Sequence, residues 1–199
     1  MKHKWLPEVT KGLIEAKMKI ILIGIQGSGK STQGNLLSEK LGIPYLSTGH
    51  IFREIAKEKT PLGRYIKETM NAGYLIPDEK TLEIVNEYLS RDEYKKGYIL
   101  DGFPRTIAQA EQFSNGISKV FYLRVSDKEA LWRLSYRQGE NGEVREDETL
   151  LAIRKRIELF HQVTKPVLEF YNQKGVLAEI DGEESVDTVH EKICESLNI

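Results

Sequence analysis

A phosphate-binding loop set directly after a strand constrains this chain more than any other feature. Residues Gly24-Ile25-Gln26-Gly27-Ser28-Gly29-Lys30-Ser31-Thr32 read GxxxxGKS, and they follow the apolar run Lys19-Ile20-Ile21-Leu22-Ile23. Such a loop works between a strand and a helix. Its glycines let backbone N–H groups converge on an anion, and the helix that follows adds the positive end of its dipole. In that setting Lys30 reaches the terminal phosphates and the Ser31 hydroxyl is placed to ligate Mg2+. An incidental glycine-rich turn is the bland alternative, and the strand before the loop weighs against it.

Further apolar runs that read as buried strands recur at Pro44–Leu46, Tyr98–Leu100, Val120–Val125 and Val176–Ile180, separated by segments with helical signals. This alternation predicts an α/β fold with a five-stranded parallel sheet flanked by helices on both faces. Thr60-Pro61 and Ile76-Pro77 read as helix entries with proline at the first helical position, and Gly42, Gly73 and Gly175 read as helix stops. Leu150, Ile153, Ile157 and Phe160 fall on one helical stripe and Val186, Val189, Ile193 and Leu197 on another, both expected to face the core.

With 199 residues the chain suits one domain, and 29 Lys plus Arg against 30 Asp plus Glu leave no global basic field for nucleic acid or an anionic membrane. No apolar run reaches the length of a membrane span, and the start Met1-Lys2-His3-Lys4 lacks the features of a secretory signal, so the expected location is cytoplasmic. The lone Cys194 rules out an internal disulfide or a four-thiolate zinc site, and its helical spacing marks it as a packing residue. No structural zinc is expected.

A phosphate loop alone does not separate kinases from GTPases or ATPases. The run Asp101-Gly102-Phe103-Pro104-Arg105-Thr106 adds the second half of a site. Asp101 ends a predicted strand, where a carboxylate holds Mg2+ or its waters beside the phosphate loop, and Arg105 emerges from the same edge. With these residues in place the chain resembles the adenylate kinases. GIQGSGKSTQ at Gly24 to Gln33 is similar to that family's donor loop, YLSTGHIFR at Tyr45 to Arg53 to its acceptor entry, and GYLIPDE at Gly73 to Glu79 to its acceptor wall. DGFPRTIAQA at Asp101 to Ala110 resembles the family's most diagnostic segment.

The resemblance implies a P-loop kinase domain over residues 18–199, with a helical nucleoside-monophosphate-binding insertion at about 47–76 and a short lid at about 137–146. It implies ATP contacts from Gly27, Ser28, Gly29, Lys30, Ser31, Thr32 and Arg137, with Arg133 stacked on the donor base and the backbone near Gly182 and Glu184 against it. It implies an AMP site of Thr48, Arg53, Gly102, Phe103, Pro104, Arg105 and Gln109, with the backbone of Tyr74, Leu75 and Ile76 along the adenine. Arg145 and Arg156 match the arginines that clamp the transferring group and also border AMP, so the catalytic set is Lys30, Arg105, Arg137, Arg145 and Arg156. Mg2+ would arrive with ATP, held by Ser31 and, through water, by Asp101.

The chain departs from the family pattern at three places in its nucleotide-binding motifs. His50 replaces the aspartate that usually follows Thr-Gly, Gln26 replaces the usual proline of the loop, and Ser31 replaces a glycine. Asp147 and Glu148 stand where the family usually has two aspartates, and Gln138 to Val144 is too short for a long or zinc-bearing lid. Gln109 also fits the far half of a capping box begun by Thr106.

The implied activity is phosphoryl transfer from ATP, or another NTP, to AMP. The rivals are a kinase of the same fold acting on UMP, CMP or GMP and, from another class, a silent nucleotide-binding switch. A guanine-reading Asn-Lys-x-Asp is absent, and a silent module has no need of Arg53, Arg105 and Gln109. Residues 1–17 lie outside the resemblance yet carry Trp5, Leu6, Val9, Leu13 and Ile14. They are expected to pack on their own subunit or to form a homo-oligomer contact, leaving the protein a monomer or a small homo-oligomer.

Overall fold

The apolar run ahead of the phosphate loop forms the central strand β1 (Met18–Ile23), in which Ile20, Ile21 and Leu22 are fully buried. A strand covered on both faces has no polar side, so its sequence runs continuously apolar instead of alternating. Four strands join it in one parallel sheet: β2 (Tyr45–Ser47), β3 (Gly97–Asp101), β4 (Lys119–Arg124) and β5 (Leu177–Asp181), in the order β2-β3-β1-β4-β5. The computed structural model describes residues 18–113, 116–136, 147 and 149–199.

Successive residues of β1 feed opposite layers, as the pleat requires. Ile20 and Leu22 pack with Leu37 of α1 (Lys30–Leu41) and with Val189 and Ile193 of α9 (Val186–Leu197). Ile21 and Ile23 belong to the other layer, with α4 (Asp78–Leu89), α5 (Ile107–Gln112) and α8 (Lys165–Gln173), which supply Val85, Ala110 and Val167. A fully buried Ile or Leu contributes about 2 kcal/mol of transfer free energy. That burial fixes the strand whose end carries the loop.

Two further helices, α2 (Thr48–Lys57) and α3 (Pro61–Asn71), form the insertion between β2 and α4. Thr60 caps α3 by accepting the Gly63 N–H at 2.9 Å, and Pro61 is its first residue, as its sequence predicts. The second proline signal is displaced by one: α4 begins at Asp78, and Pro77 occupies the cap. Gly42, Gly73 and Gly175 follow α1, α3 and α8 with positive φ, in agreement with the predicted stops.

Beyond β4 lie α6 (Asp127–Ser135) and α7 (Leu150–Leu159), the latter running through a π-helical turn at Phe160–Thr164 into α8. Ile153, Ile157 and Phe160 are buried as the stripe predicts, but Leu150 is 59% exposed, and on α9 Val186 is 50% exposed. Both sit in the first turn of their helix, where the apolar stripe has already run past the layer it covers. The implied lid at 137–146 and the segment 1–17 lie outside the described residues, and no described helix is long and apolar enough to cross a membrane.

Candidate active site

The phosphate loop leaves β1 at the carboxyl edge of the sheet, where β1 leads toward the β2 side and its neighbour β4 toward the β5 side. Connections that diverge in this way open a crevice outside the strand ends. Gly27 has φ 88°, and a Cβ placed there would stand 2.9 Å from the Ala130 carbonyl oxygen of α6, so this turn admits only glycine. Gly29 caps α1 with no side-chain acceptor, which leaves the first N–H groups of the helix facing the loop. Lys30 Nζ donates to the Gly24 and Ile25 carbonyls, both at 2.8 Å, and to Ser28 Oγ at 3.3 Å.

One cleft at this edge brings together Gly27, Gly29, Lys30 and Ser31 from the loop with Arg53, Tyr74, Leu75 and Ile76 from the insertion. Asp101, Gly102, Phe103, Pro104, Arg105 and Gln109 from β3 and the turn after it, and Arg156 from α7, complete the same lining. Residues spread over more than a hundred positions of sequence thus meet around one space. Six of the expected residues that the structure describes are not part of this lining: Arg133, Gly182, Glu184 and three others. Ser28 is buried behind the lysine, Thr32 is exposed on α1, and Thr48 is buried with its hydroxyl donating to the Asp101 carbonyl at 3.1 Å.

The Arg105 side of the cleft is held by its own hydrogen bonds. Arg105 is half-buried; its Nε donates to the Gly102 carbonyl at 2.8 Å and its backbone N–H to Gln109 Oε1 at 2.7 Å. Burial, reinforced by the positive charge of Arg156, opposed by Asp101 and added to by Arg53, pushes the Arg105 guanidinium below its ordinary range. Arginine nonetheless stays charged at neutral pH, so the shift records first a desolvated cation and second the like charges beside it. The Gln109 backbone N–H is capped by Thr106 Oγ1 at 3.1 Å, as the capping reading expects, but its side chain reaches back to Arg105 and not to the cap residue, and it lines the cleft.

Arg156 ties three elements together. Its Nη2 donates to Asp147 Oδ2 and to the Met70 carbonyl of α3, both at 2.9 Å, and its Nη1 donates to Gln26 Oε1 of the phosphate loop at 3.1 Å. Asp147 is thus paired with Arg156; Glu148, Arg137 and Arg145 lie outside the described residues. Arg133 and Gly182 also meet, with Arg133 Nη1 donating to the Gly182 carbonyl at 2.8 Å and Nε to Glu129 at 2.6 Å. A Cβ on Gly182 would approach the Ser28 carbonyl oxygen to 3.4 Å, which places this pair against the phosphate loop, and the Glu184 carboxylate is paired with Lys192.

Asp101 lies opposite Leu22 in the β1–β3 register, two residues ahead of the loop. Its Oδ2 accepts the Tyr45 hydroxyl at 2.7 Å, and its Oδ1 is buried and accepts no hydrogen bond among the described residues. A buried carboxylate oxygen with spare acceptor capacity, in the same cleft as the Ser31 hydroxyl, is the hard oxygen donor set that Mg2+ prefers. Among the described residues no cluster of three or more His, Cys, Asp or Glu side chains forms a metal cage. His50 is exposed and does not line the cleft.

Three side chains that the motifs did not single out take part: Tyr45 on Asp101, Gln26 on Arg156 and Asp78 on Gln109, the last at 2.7 Å. Gln26 was visible as an unusual residue in the loop. Tyr45 and Asp78 had only strand and helix-cap signals.

Fold and site define a phosphate-loop nucleotide-binding protein whose loop opens onto an arginine-lined cleft. A family model described as Adenylate kinase matches residues 22–176. The chain is 37% identical to the adenylate kinase of Caldicellulosiruptor bescii, covering 92% of this chain and 100% of the relative. It is 35% identical to that of Clostridium beijerinckii (90% and 98% covered) and 37% identical to that of Staphylococcus aureus (91% and 99% covered). The chain belongs to the adenylate kinase family.

Proposed function

We propose that this protein transfers the terminal phosphoryl group of ATP to AMP, reversibly, giving two ADP. The observation that carries this reading is that Lys30 of the phosphate loop and three arginines, Arg53, Arg105 and Arg156, line a single cleft. ATP and AMP together bring about six negative charges, of which Mg2+ offsets two. At about 5 Å and an effective dielectric near 20, each unscreened pair of like charges costs about 3 kcal/mol, so cations must converge where the two phosphates meet.

The AMP phosphate oxygen attacks the terminal phosphorus in line, the bond to the bridging oxygen breaks, and the electron pair leaves with ADP. The nucleophile is already ionised, so no general base is needed, and the work is positioning and charge stabilisation. Lys30 with Gly27, Ser28, Gly29, Ser31 and Thr32 holds the donor phosphates, and Arg133, Gly182 and Glu184 flank the donor base. Thr48, Arg53, Gly102, Phe103, Pro104, Arg105 and Gln109 bind AMP, with Tyr74, Leu75 and Ile76 along the base. Arg156, together with Arg137 and Arg145 from the lid, spans the transferring group. Ser31 and, through water, Asp101 would hold Mg2+, which when bound neutralises charge on the donor phosphates.

Residues 47–76 act as the monophosphate-binding insertion and 137–146 as a short lid that excludes water. The alignment to the Caldicellulosiruptor bescii relative runs over 214 positions, more than this chain's 199 residues, so that relative carries residues this chain lacks. The protein works in the cytoplasm as a monomer or as a small homo-oligomer joined through residues 1–17.

A coupled assay crossing four NTP donors with AMP, CMP, UMP and GMP tests the reading, and AMP is the expected acceptor. Lys30→Met should lower turnover by about a hundredfold or more with the circular dichroism spectrum unchanged, since a charge-assisted contact to a transferring phosphate is worth about 3 kcal/mol. Near-normal turnover in that variant would sink the mechanism.

A further inference from the structure

Gln109 is 1% exposed, and its amide is held at both ends. Oε1 accepts the Arg105 backbone N–H at 2.7 Å, and Nε2 donates to Asp78 Oδ1 at 2.7 Å. A backbone N–H only donates and a carboxylate only accepts, so these partners dictate which end of the amide is oxygen and which is nitrogen. A primary amide keeps one further N–H and one further lone pair after these two bonds. On a residue that lines the cleft, a remaining donor next to a remaining acceptor would match an edge offering an amino group beside a ring nitrogen acceptor.

A 6-aminopurine has that edge: its N6 amino group donates and its N1 accepts. A 6-oxopurine presents the reverse, an accepting O6 and a donating N1–H. Reading it in the same pose requires the Gln109 amide to turn end over end. The turned amide would set its N–H against the Arg105 N–H and its carbonyl against the Asp78 carboxylate, losing two hydrogen bonds and creating two repulsions.

We propose that Asp78 is a specificity-determining residue that acts through Gln109. Its acceptor-only carboxylate locks the amide in the orientation that reads a 6-aminopurine and rejects a 6-oxopurine. This rests on the reading of the cleft as an AMP site with Gln109 at the base. Arg105 supplies the other half of the lock from its backbone, which no side-chain substitution removes; Asp78 supplies the half that mutation reaches.

Inosine monophosphate differs from AMP only at the edge in question, so the ratio of kcat/KM for AMP to that for inosine monophosphate isolates the lock. Asp78→Asn is nearly isosteric and replaces an acceptor-only group with an amide that serves either orientation of Gln109. It should narrow the ratio by about tenfold, the loss expected when a hydrogen bond to a charged group no longer discriminates, with the change in KM and not in kcat. Asp78→Ala should narrow it at least as much. A role limited to helix capping or packing would be rescued by asparagine and would move both acceptors equally.

An unchanged ratio in Asp78→Asn, or an equal loss for both nucleotides in both variants, overturns the proposal. Should either variant turn over too slowly to assay, calorimetric titration with the two monophosphates reads the same ratio. Gln109→Leu, run alongside, separates the layers. If it keeps the parent's preference the base is read elsewhere and the lock falls with it, whereas a parent that phosphorylates no monophosphate refutes the underlying function instead.

Discussion

At the scale of single residues, Lys30 and Arg105 are held by oxygen atoms of their own loops, whereas Arg156 reaches Gln26 and Met70 from far along the chain. Gln26 gives the phosphate loop a side-chain hold on Arg156, a contact that proline at this position could not make. Gln26→Ala should lower kcat by about tenfold with nucleotide KM values within about threefold of the parent, because a hydrogen bond to a charged group is worth about 1.5 kcal/mol or more. Steady-state kinetics decide it, and a selective rise in KM would instead make Gln26 a binding residue. His190 shows how a partly buried ring links the C-terminal helix to the loop helix. Gln33 Nε2 donates to the Val186 carbonyl at 2.8 Å, so its Oε1 accepts from His190 Nδ1 at 3.2 Å, and His190 Nε2 is left facing Cys194 Sγ at 3.5 Å. Burial first, then Lys40, lowers the His190 pKa, only partly opposed by Asp187 and Glu191. The unfolded chain therefore binds the proton more readily, and the stabilisation is complete above the ordinary histidine value near 6.5 and lost as pH falls from there toward the lowered value. His190→Gln should flatten the change in Tm between pH 7.5 and 5.5, and a parent and variant with parallel Tm profiles would assign that slope to other groups.

At the scale of elements, the turn after α3 meets α7 backbone to backbone at one glycine, beside the hydrogen bond from Arg156 to the Met70 carbonyl. Gly73, just past α3, has φ 78°, and a Cβ there would fall 2.6 Å from the Ala152 carbonyl oxygen and 2.9 Å from its Cα. Neither backbone atom can yield without moving α7. Gly73→Ala should destabilise the protein by about 2 kcal/mol or more, combining left-handed strain with the clash. It should also raise KM for AMP, because Tyr74, Leu75 and Ile76 follow directly; denaturant unfolding and acceptor titration measure the two effects. The sequence announced this glycine as a helix stop, and that reading is correct but incomplete. A stop signal is local and needs only a positive φ, whereas the close approach to Ala152 depends on where α7 lies. The same division runs through the elements generally. Strand β1 and the loop after it were legible because a doubly covered strand and a phosphate cradle each leave a contiguous pattern. The exposure of Leu150 and Val186 was not, because periodicity tells which face a residue shares and not how far the covering layer extends.

At the scale of the whole molecule, the site is legible to the extent that its chemistry is carried by short motifs. Lys30, Asp101 and Arg105 sit in such runs and come together as expected. The contacts of Tyr45 with Asp101 and of Asp78 with Gln109 span 56 and 31 positions of sequence and carry no pattern of their own. They exist only after the sheet order β2-β3-β1-β4-β5 has brought their elements side by side. On the proposal that residues 1–17 join subunits, the full chain should show a higher mass by light scattering than a chain lacking them, with turnover retained, since the site residues all lie beyond that segment. Equal masses would remove the oligomer reading. The hydrogen bonds of Lys30 to its own loop, and of Arg156 to Asp147 and Met70, bear on how such a protein cycles. An arriving phosphate does not meet bare charge; it exchanges with protein oxygens that already hold the cations. Its affinity is then the difference between two sets of hydrogen bonds, and those same oxygens stand ready to take the cations back when the product leaves.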